Sequence, residues 1–91
     1  MLTPDYSTRF KKDLKLAEKR GYAMQNIAKV MNDLVNEIPL EPKHKEHALI
    51  GNYKGYTECH IDPDWWLLIY KINKQDNEIY FVRTGTHSDL F

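Results

Sequence analysis

The 91-residue chain has little of what marks several protein classes. A single cysteine, Cys59, cannot form an internal disulfide, and without a Cys pair there is no thiolate spacing for a structural zinc site. The longest apolar run, Trp65–Tyr70, is far short of the roughly 20 residues that cross a bilayer. The opening MLTPDYSTRF lacks the apolar core and small-residue cleavage site of a secretory signal, so the cytoplasm is the expected compartment and no membrane contact is expected. Net charge is also missing. Thirteen basic and thirteen acidic residues give a formal charge of +0, which excludes a strongly cationic, sequence-blind nucleic-acid binder. At this length the chain supports one core, so residues 1–91 are read as a single domain.

Charge is present locally. Residues 1–45 carry 9 basic and 6 acidic side chains, and residues 46–91 carry 4 and 7, which leaves the halves at +3 and −3. Arg9, Lys11, Lys12, Lys15, Lys19 and Arg20 concentrate the positive charge in one segment. That segment reads as a helix. Ser7 or Thr8 can cap it, Phe10, Leu14 and Ala17 recur on one side, and Gly21 stops it. The narrow apolar stripe leaves Lys11, Lys12, Lys15 and Lys19 on the opposite face, either simply solvated or available to phosphates. A second helix is expected from about Met24 to Asn36, with Met24, Ile27, Val30, Met31, Leu34 and Val35 on its core side and Ile38-Pro39 beyond its end. The short connection between the helices implies an antiparallel pair laid on a flat layer.

After Pro39 the helical period disappears. Pro42, Gly51 and Gly55 mark a loop with one short strand near Ala48–Ile50. Strand-forming runs follow at Tyr56–Ile61, Trp65–Ile72 and Glu78–Thr84, separated by short polar turns that imply hairpins. A period of two puts Tyr56, Glu58 and His60 on one face of the first run and Thr57, Cys59 and Ile61 on the other. By the same rule Ile79, Phe81 and Arg83 share a face of the last run. An N-terminal strand near Leu2–Tyr6 must lie at an edge because of Pro4. The expected fold class is therefore α+β, in the order β-α-α-β-β-β: two antiparallel helices packed on one face of a small antiparallel β-sheet, the other face free for function.

The four histidines fall in three charged stretches, KHKEH, HIDPD and RTGTHSD. A metal reading would join His44 and His47 to His60 and Asp64, but the spacing lies in a loop and no HExxH helix occurs, so no metal or other cofactor is expected. Taken singly, each histidine could be a surface residue or a satisfied hydrogen-bonder. A third reading is metal-free RNA cleavage through the 2′-hydroxyl, which needs a base, an acid and a cation for the charge on the phosphorane. Histidine suits the first two roles because its ordinary pKa of about 6.5 lies near working pH. Arg83 suits the third, since its planar fork donates to two phosphate oxygens and keeps its charge.

The stretches HALIGNYKGYTECHIDPDW, LLIYKI and FVRTGTHSDLF together resemble YafQ-type toxins of the RelE superfamily in bacterial toxin–antitoxin systems. The resemblance covers nearly the whole chain, and RTGTHSDLF is its most specific part. It implies a ribosome-dependent messenger-RNA endonuclease, held in check by a cognate antitoxin of the DinJ type and reaching operator DNA only through that antitoxin. Carried over by position, it marks His47, His60, Asp64, His87 and Phe91 as functional residues and Arg83 as the phosphate-stabilising arginine. His87 would then be the general acid, and His60 with Asp64 would orient or deprotonate the 2′-hydroxyl, assisted by His47. Phe91 would stack on an unpaired base.

Two features depart from the family pattern. Trp65 and Trp66 stand together where relatives have one bulky residue, which predicts a bulge or shifted register; Trp65, directly after Asp64, is expected on the RNA side. The neutral net charge leaves ribosome binding to Lys11, Lys12, Lys15, Lys19 and Lys54. Two other readings stay open: a non-catalytic relative acting only with its antitoxin as a DNA-bound corepressor, and a metal-dependent nuclease. Intact His60, Asp64, Arg83 and His87 favour catalysis over the first.

Overall fold

Ser7 opens the first helix as expected, its hydroxyl accepting from the Phe10 N–H at 2.9 Å. In the computed structural model, which describes residues 1–91, the elements run β1 (Thr3–Tyr6), α1 (Thr8–Lys19), α2 (Met24–Val35), β2 (His47–Ala48), β3 (Thr57–Ile61), β4 (Trp66–Asn73), β5 (Glu78–Gly85) and α3 (His87–Leu90). Gly21 ends α1 with φ +80°, a left-handed conformation that favours glycine.

Five strands form one sheet in the order β1-β5-β4-β3-β2. All neighbours are antiparallel except β1 and β5, which run parallel, a departure from the wholly antiparallel sheet read from the sequence. The two helices between β1 and the rest of the sheet return the chain in the same direction, and Pro4 sits on the outer strand where a missing N–H is harmless. Pairing of His47 with Glu58 and of Ala48 with Thr57 places the short strand slightly earlier than expected and makes it the other edge.

The helices cover one face, α1 over β5 and α2 over β3. Phe10, Ala17, Ile27, Val30 and Leu34 meet Cys59, Ile61, Trp66, Leu68, Tyr70, Ile79 and Phe81 there. Tyr6, Phe10 and Phe81 stack with centroids 5.7 to 6.0 Å apart. Alternation on β3 is as read: Cys59 and Ile61 enter this core, while Glu58 and His60 take the other face.

The doubled tryptophan is resolved without a bulge beside it. Trp66 begins β4 fully buried, and Trp65 stays in the turn, 50% exposed. The irregularity lies further along, at Ile69/Tyr70, where Ile69 pairs with Arg83 and Tyr70 with Phe81, so Val82 is the extra residue. Each residue after the bulge is shifted by one, so Arg83 leaves the face of Ile79 and Phe81 on which simple alternation placed it.

The second sheet face is not free along its whole length. Leu90 closes on Leu67 and Ile69, with Leu49, Tyr53, Tyr56 and Val82 around them. What stays open is the end near β2 and the start of α3. No helix is long and apolar enough to cross a membrane.

Candidate active site

Antiparallel pairing of β2 with β3 sets His47 directly across from Glu58, and the two-residue period of β3 puts His60 beside it. Glu58 Oε1 lies 3.3 Å from His47 Nε2 and 3.8 Å from His60 Nε2. The Glu58 side chain is only 8% exposed, so its charge acts at reduced screening. Both rings are turned by their other nitrogen. His47 Nδ1 lies 2.7 Å from the Lys45 carbonyl, and His60 Nδ1 lies 2.8 Å from the Asp64 carbonyl and 3.0 Å from Asp64 Oδ1. The Nδ1 of each ring faces a backbone or carboxylate acceptor, and both Nε2 atoms are turned towards Glu58.

Asp64 is itself held. Lys45 Nζ lies 3.2 Å from its Oδ2, and this ammonium, with His60 adding to it, keeps the Asp64 carboxyl below the usual carboxylate range. His44 takes no part in the cluster. It is buried, with Nδ1 2.6 Å from the His60 carbonyl, and supports the β3 backbone. The four-donor grouping of His44, His47, His60 and Asp64 considered from the sequence is thus not assembled. The donor set that does converge is His47, Glu58 and His60, whose ligand atoms lie within 4.8 Å of one another. Two imidazole nitrogens with hydrogen-bonded Nδ1–H groups and one carboxylate suit a zinc or copper ion.

An open cavity of about 390 Å³ lies beside this cluster, lined by Glu58, His60, Asp64, Trp65, Thr86 and His87 among others. Thr86 caps α3 in a reciprocal capping box with Asp89, and so delivers His87 to the cavity rim. The His87 ring lies 4.9 Å from that of Phe91, which in turn lies 5.6 Å edge-on to Tyr53. The terminal aromatic is therefore placed by packing on two rings while remaining 57% exposed.

Arg83 does not line this cavity. Asp13 on α1 grips it, with Nε 2.7 Å from Oδ2 and Nη2 3.3 Å from Oδ1, and holds its pKa above the ordinary guanidinium value. The Tyr53 hydroxyl lies beside the same guanidinium, so Tyr53 links Arg83 to Phe91 and the cavity. Lys11, Lys12, Lys15, Lys19 and Lys54 are exposed, away from the cavity lining. Cys59 is buried under β3, and burial pushes its thiol pKa far up, so it supplies no thiolate nucleophile.

Glu58, Lys45, Asp13 and Tyr53 were not singled out from the sequence. Glu58 had a signal, since it shares the His60 face two residues away. Asp13 had none, being 70 residues from Arg83.

Two helices on a mostly antiparallel sheet, with histidines and carboxylates at its open end and an aromatic at the C-terminus, define a RelE-like toxin domain. The family described as bacterial toxin of type II toxin–antitoxin system, YafQ, matches residues 2–91, and the chain belongs to it. The mRNA interferase toxin YafQ of Escherichia coli K12 is 44% identical over 88 residues, covering 96% of this chain and 92% of the relative. A crystal structure of a metal-bound toxin from Helicobacter pylori superposes with a TM-score of 0.91 at 46% identity, with 100% of both chains covered. YafQ in the E. coli DinJ–YafQ toxin–antitoxin complex gives a TM-score of 0.88 at 42% identity, covering 99% of this chain and 97% of that one.

Proposed function

We propose that this chain is an mRNA interferase: an endoribonuclease that cuts message on the ribosome by 2′-hydroxyl attack and so stops translation. The observation that carries this reading is the placement of His60 and His87 on one cavity, with the His60 Nδ1 held by Asp64 and its Nε2 facing Glu58 at 3.8 Å. In the reaction His60 Nε2 accepts the 2′-O–H proton, and the 2′-oxygen attacks phosphorus. The bond from phosphorus to the 5′-oxygen breaks as His87 donates a proton to that oxygen. The products are a 2′,3′-cyclic phosphate and a 5′-hydroxyl end. Glu58 stabilises the imidazolium formed at His60, and His47 shares that carboxylate. Arg83, steadied by Asp13, supplies positive charge for the phosphorane when the message is bound. Trp65 and Phe91 offer faces on which unpaired bases stack, contacts worth roughly 1–3 kcal/mol each.

Ribosome dependence follows from economy of means. The cluster is open and two of its histidines are exposed or partly so, so an ordered message presented in line supplies the orientation that the small domain lacks. A ribosomal substrate places the protein in the cytoplasm. A DinJ-like antitoxin is the proposed partner, through which the chain would reach operator DNA. No metal is required by this scheme. A divalent ion held by His47, Glu58 and His60 would supply Lewis-acid chemistry but would take the lone pair of the proposed base.

The test is primer extension on a defined message incubated with protein and ribosomes, with and without a zinc- and copper-selective chelator that leaves Mg2+ in place, beside His87→Ala. Ribosome-dependent cuts that persist with the chelator and vanish in the variant are expected. No cuts from folded protein would favour the non-catalytic, antitoxin-bound reading, and loss of cuts with the chelator would favour the metal-dependent one.

A further inference from the structure

Arg20 belongs by sequence to the basic run of α1, yet it does not extend into solvent as a free cation. Its Nη1 lies 2.8 Å from Asp89 Oδ2 and its Nη2 3.4 Å from Asp89 Oδ1, so it grips the carboxylate at two points. The same Nη1 donates to the Tyr22 hydroxyl at 3.3 Å. Each partner leads to a different flank of the candidate site. Asp89 accepts from the Thr86 N–H at 2.9 Å and closes the capping box of α3, the element that carries His87 and ends at Phe91. Tyr22 packs edge-on against Trp65, with centroids 4.9 Å apart.

A helix of four residues cannot hold its own orientation, because the cost of nucleating a turn exceeds what so few hydrogen bonds return. Something outside α3 must fix it. Leu90 anchors its buried side, and Arg20 is the charged anchor on the other. The backbone at Gly85 is shaped to admit this contact: a Cβ there would lie 3.0 Å from both Cβ and Oδ2 of Asp89, in a φ of +158° that side chains rarely adopt. The Asp89 carboxyl is held down at about 2 by Arg20 first and by Thr86 next, so the pair stays ionised throughout the working range of pH.

We propose that Arg20 is a positioning residue of the active site, bracing the His87–Phe91 helix through Asp89 and the Trp65 platform through Tyr22. Arg20 touches no reacting atom; it acts on where the general acid and the stacking ring sit. The proposal rests on the assignment of His87 as the acid given above. A lysine would keep the charge without the planar fork needed to hold two carboxylate oxygens and a hydroxyl together. The exposed lysines of α1 are then distinct from Arg20 in function, since no carboxylate pairs with them and they remain available to phosphates.

The test compares wild type, Arg20→Gln, Arg20→Lys and Arg20→Gln with Asp89→Asn, reading single-turnover cleavage, ribosome affinity and the side-chain NMR signals of His87 and Trp65. Arg20→Gln is expected to slow cleavage about 10- to 100-fold, the scale of a misplaced catalytic group. Ribosome affinity should be unchanged, the His87 and Trp65 signals should move, and those of His44 should stay in place. Arg20→Lys should fall between wild type and Arg20→Gln, and the double variant should be no slower than Arg20→Gln alone. Wild-type cleavage in Arg20→Gln, a loss carried by ribosome affinity, or a double variant slower than Arg20→Gln would overturn the brace. Where Arg20→Gln does not fold, Arg20→Lys is judged by the same rate, affinity and signals. His87→Ala runs beside these: if it cuts like wild type, the acid assignment fails, whereas the brace is still read from the Trp65 and His87 signals of the Arg20 variants.

Discussion

Arg83 and Asp13, on β5 and α1, form a two-point ion pair in which Asp13 Oδ2 also accepts the Thr84 N–H at 3.1 Å. Their side chains are 12% and 13% exposed, so this is an interior contact as much as a surface one. Removing Asp13 leaves a largely buried guanidinium and a backbone donor without their acceptor. Asp13→Ala is expected to cost about 1–3 kcal/mol of stability, the range for leaving a buried donor without its partner, measured by urea denaturation. Under the proposed scheme, in which its charge is needed most in the transition state, Arg83→Ala should slow cleavage far more than it weakens ribosome binding. Equal losses in rate and binding would make Arg83 a simple binding residue.

Glu58 makes a second prediction. It is the one carboxylate shared by His47 and His60, and it is nearly buried. Glu58→Gln preserves shape and removes charge, so a lower cleavage rate, by about 100-fold at the low end of acid–base contributions, is expected with ribosome affinity intact. Cleavage at the wild-type rate would remove Glu58 from the site. The same substitution should weaken any binding of zinc or copper, read by titration against the ring signals of His47 and His60.

Much of the fold was legible because its signals are local. The Ser7 cap, the Gly21 stop and the alternation of β3 depend on neighbours within a few residues, and each is found where the sequence put it. The bulge at Val82 was not legible, since it depends on how β5 fits β4 and changes which face Arg83 takes. The parallel pairing of β1 and the lid formed by Leu90 and Tyr53 over the second sheet face likewise depend on chain ends meeting distant strands. For the site, spacing and family resemblance nominated the histidines, but the groups that orient them were set by folding. Lys45 reaches Asp64 from 19 residues away, and Asp13 on α1 reaches Arg83 on β5 from 70.

The Arg20–Asp89 pair predicts a pH dependence of definite sign. The folded-state pKa of Asp89, about 2, lies below its ordinary value of 3.8, so the folded state binds its proton less readily than the unfolded chain does. The stabilisation is therefore complete above about pH 4 and is lost as pH falls towards 2. Melting temperatures of wild type and Asp89→Asn should differ at neutral pH and converge as the solution is acidified through that window. A gap that stays constant down to the low end would mean that the pair contributes through packing, not charge.

The lysine face of α1 gives the last prediction. Lys11, Lys12, Lys15 and Lys19 are exposed, and no ion pair joins any of them to a carboxylate, in contrast to Arg20 and Arg83, which pair with Asp89 and Asp13. Under the proposed function, a chain with no net charge would attract ribosomal RNA through such a local surface. Every phosphate that no longer meets a lysine should reduce the slope of log affinity against log salt by about 0.7 to 0.9. Changing Lys11, Lys12 and Lys15 together to Gln should therefore weaken ribosome association at low salt and flatten its salt dependence, while the affinities of variant and wild type approach each other at high salt. Folding should be unaffected, since these side chains lie outside the hydrophobic core. An unchanged slope would return this face to simple solvation and move the ribosome-binding charge to Lys54 and the loop around it.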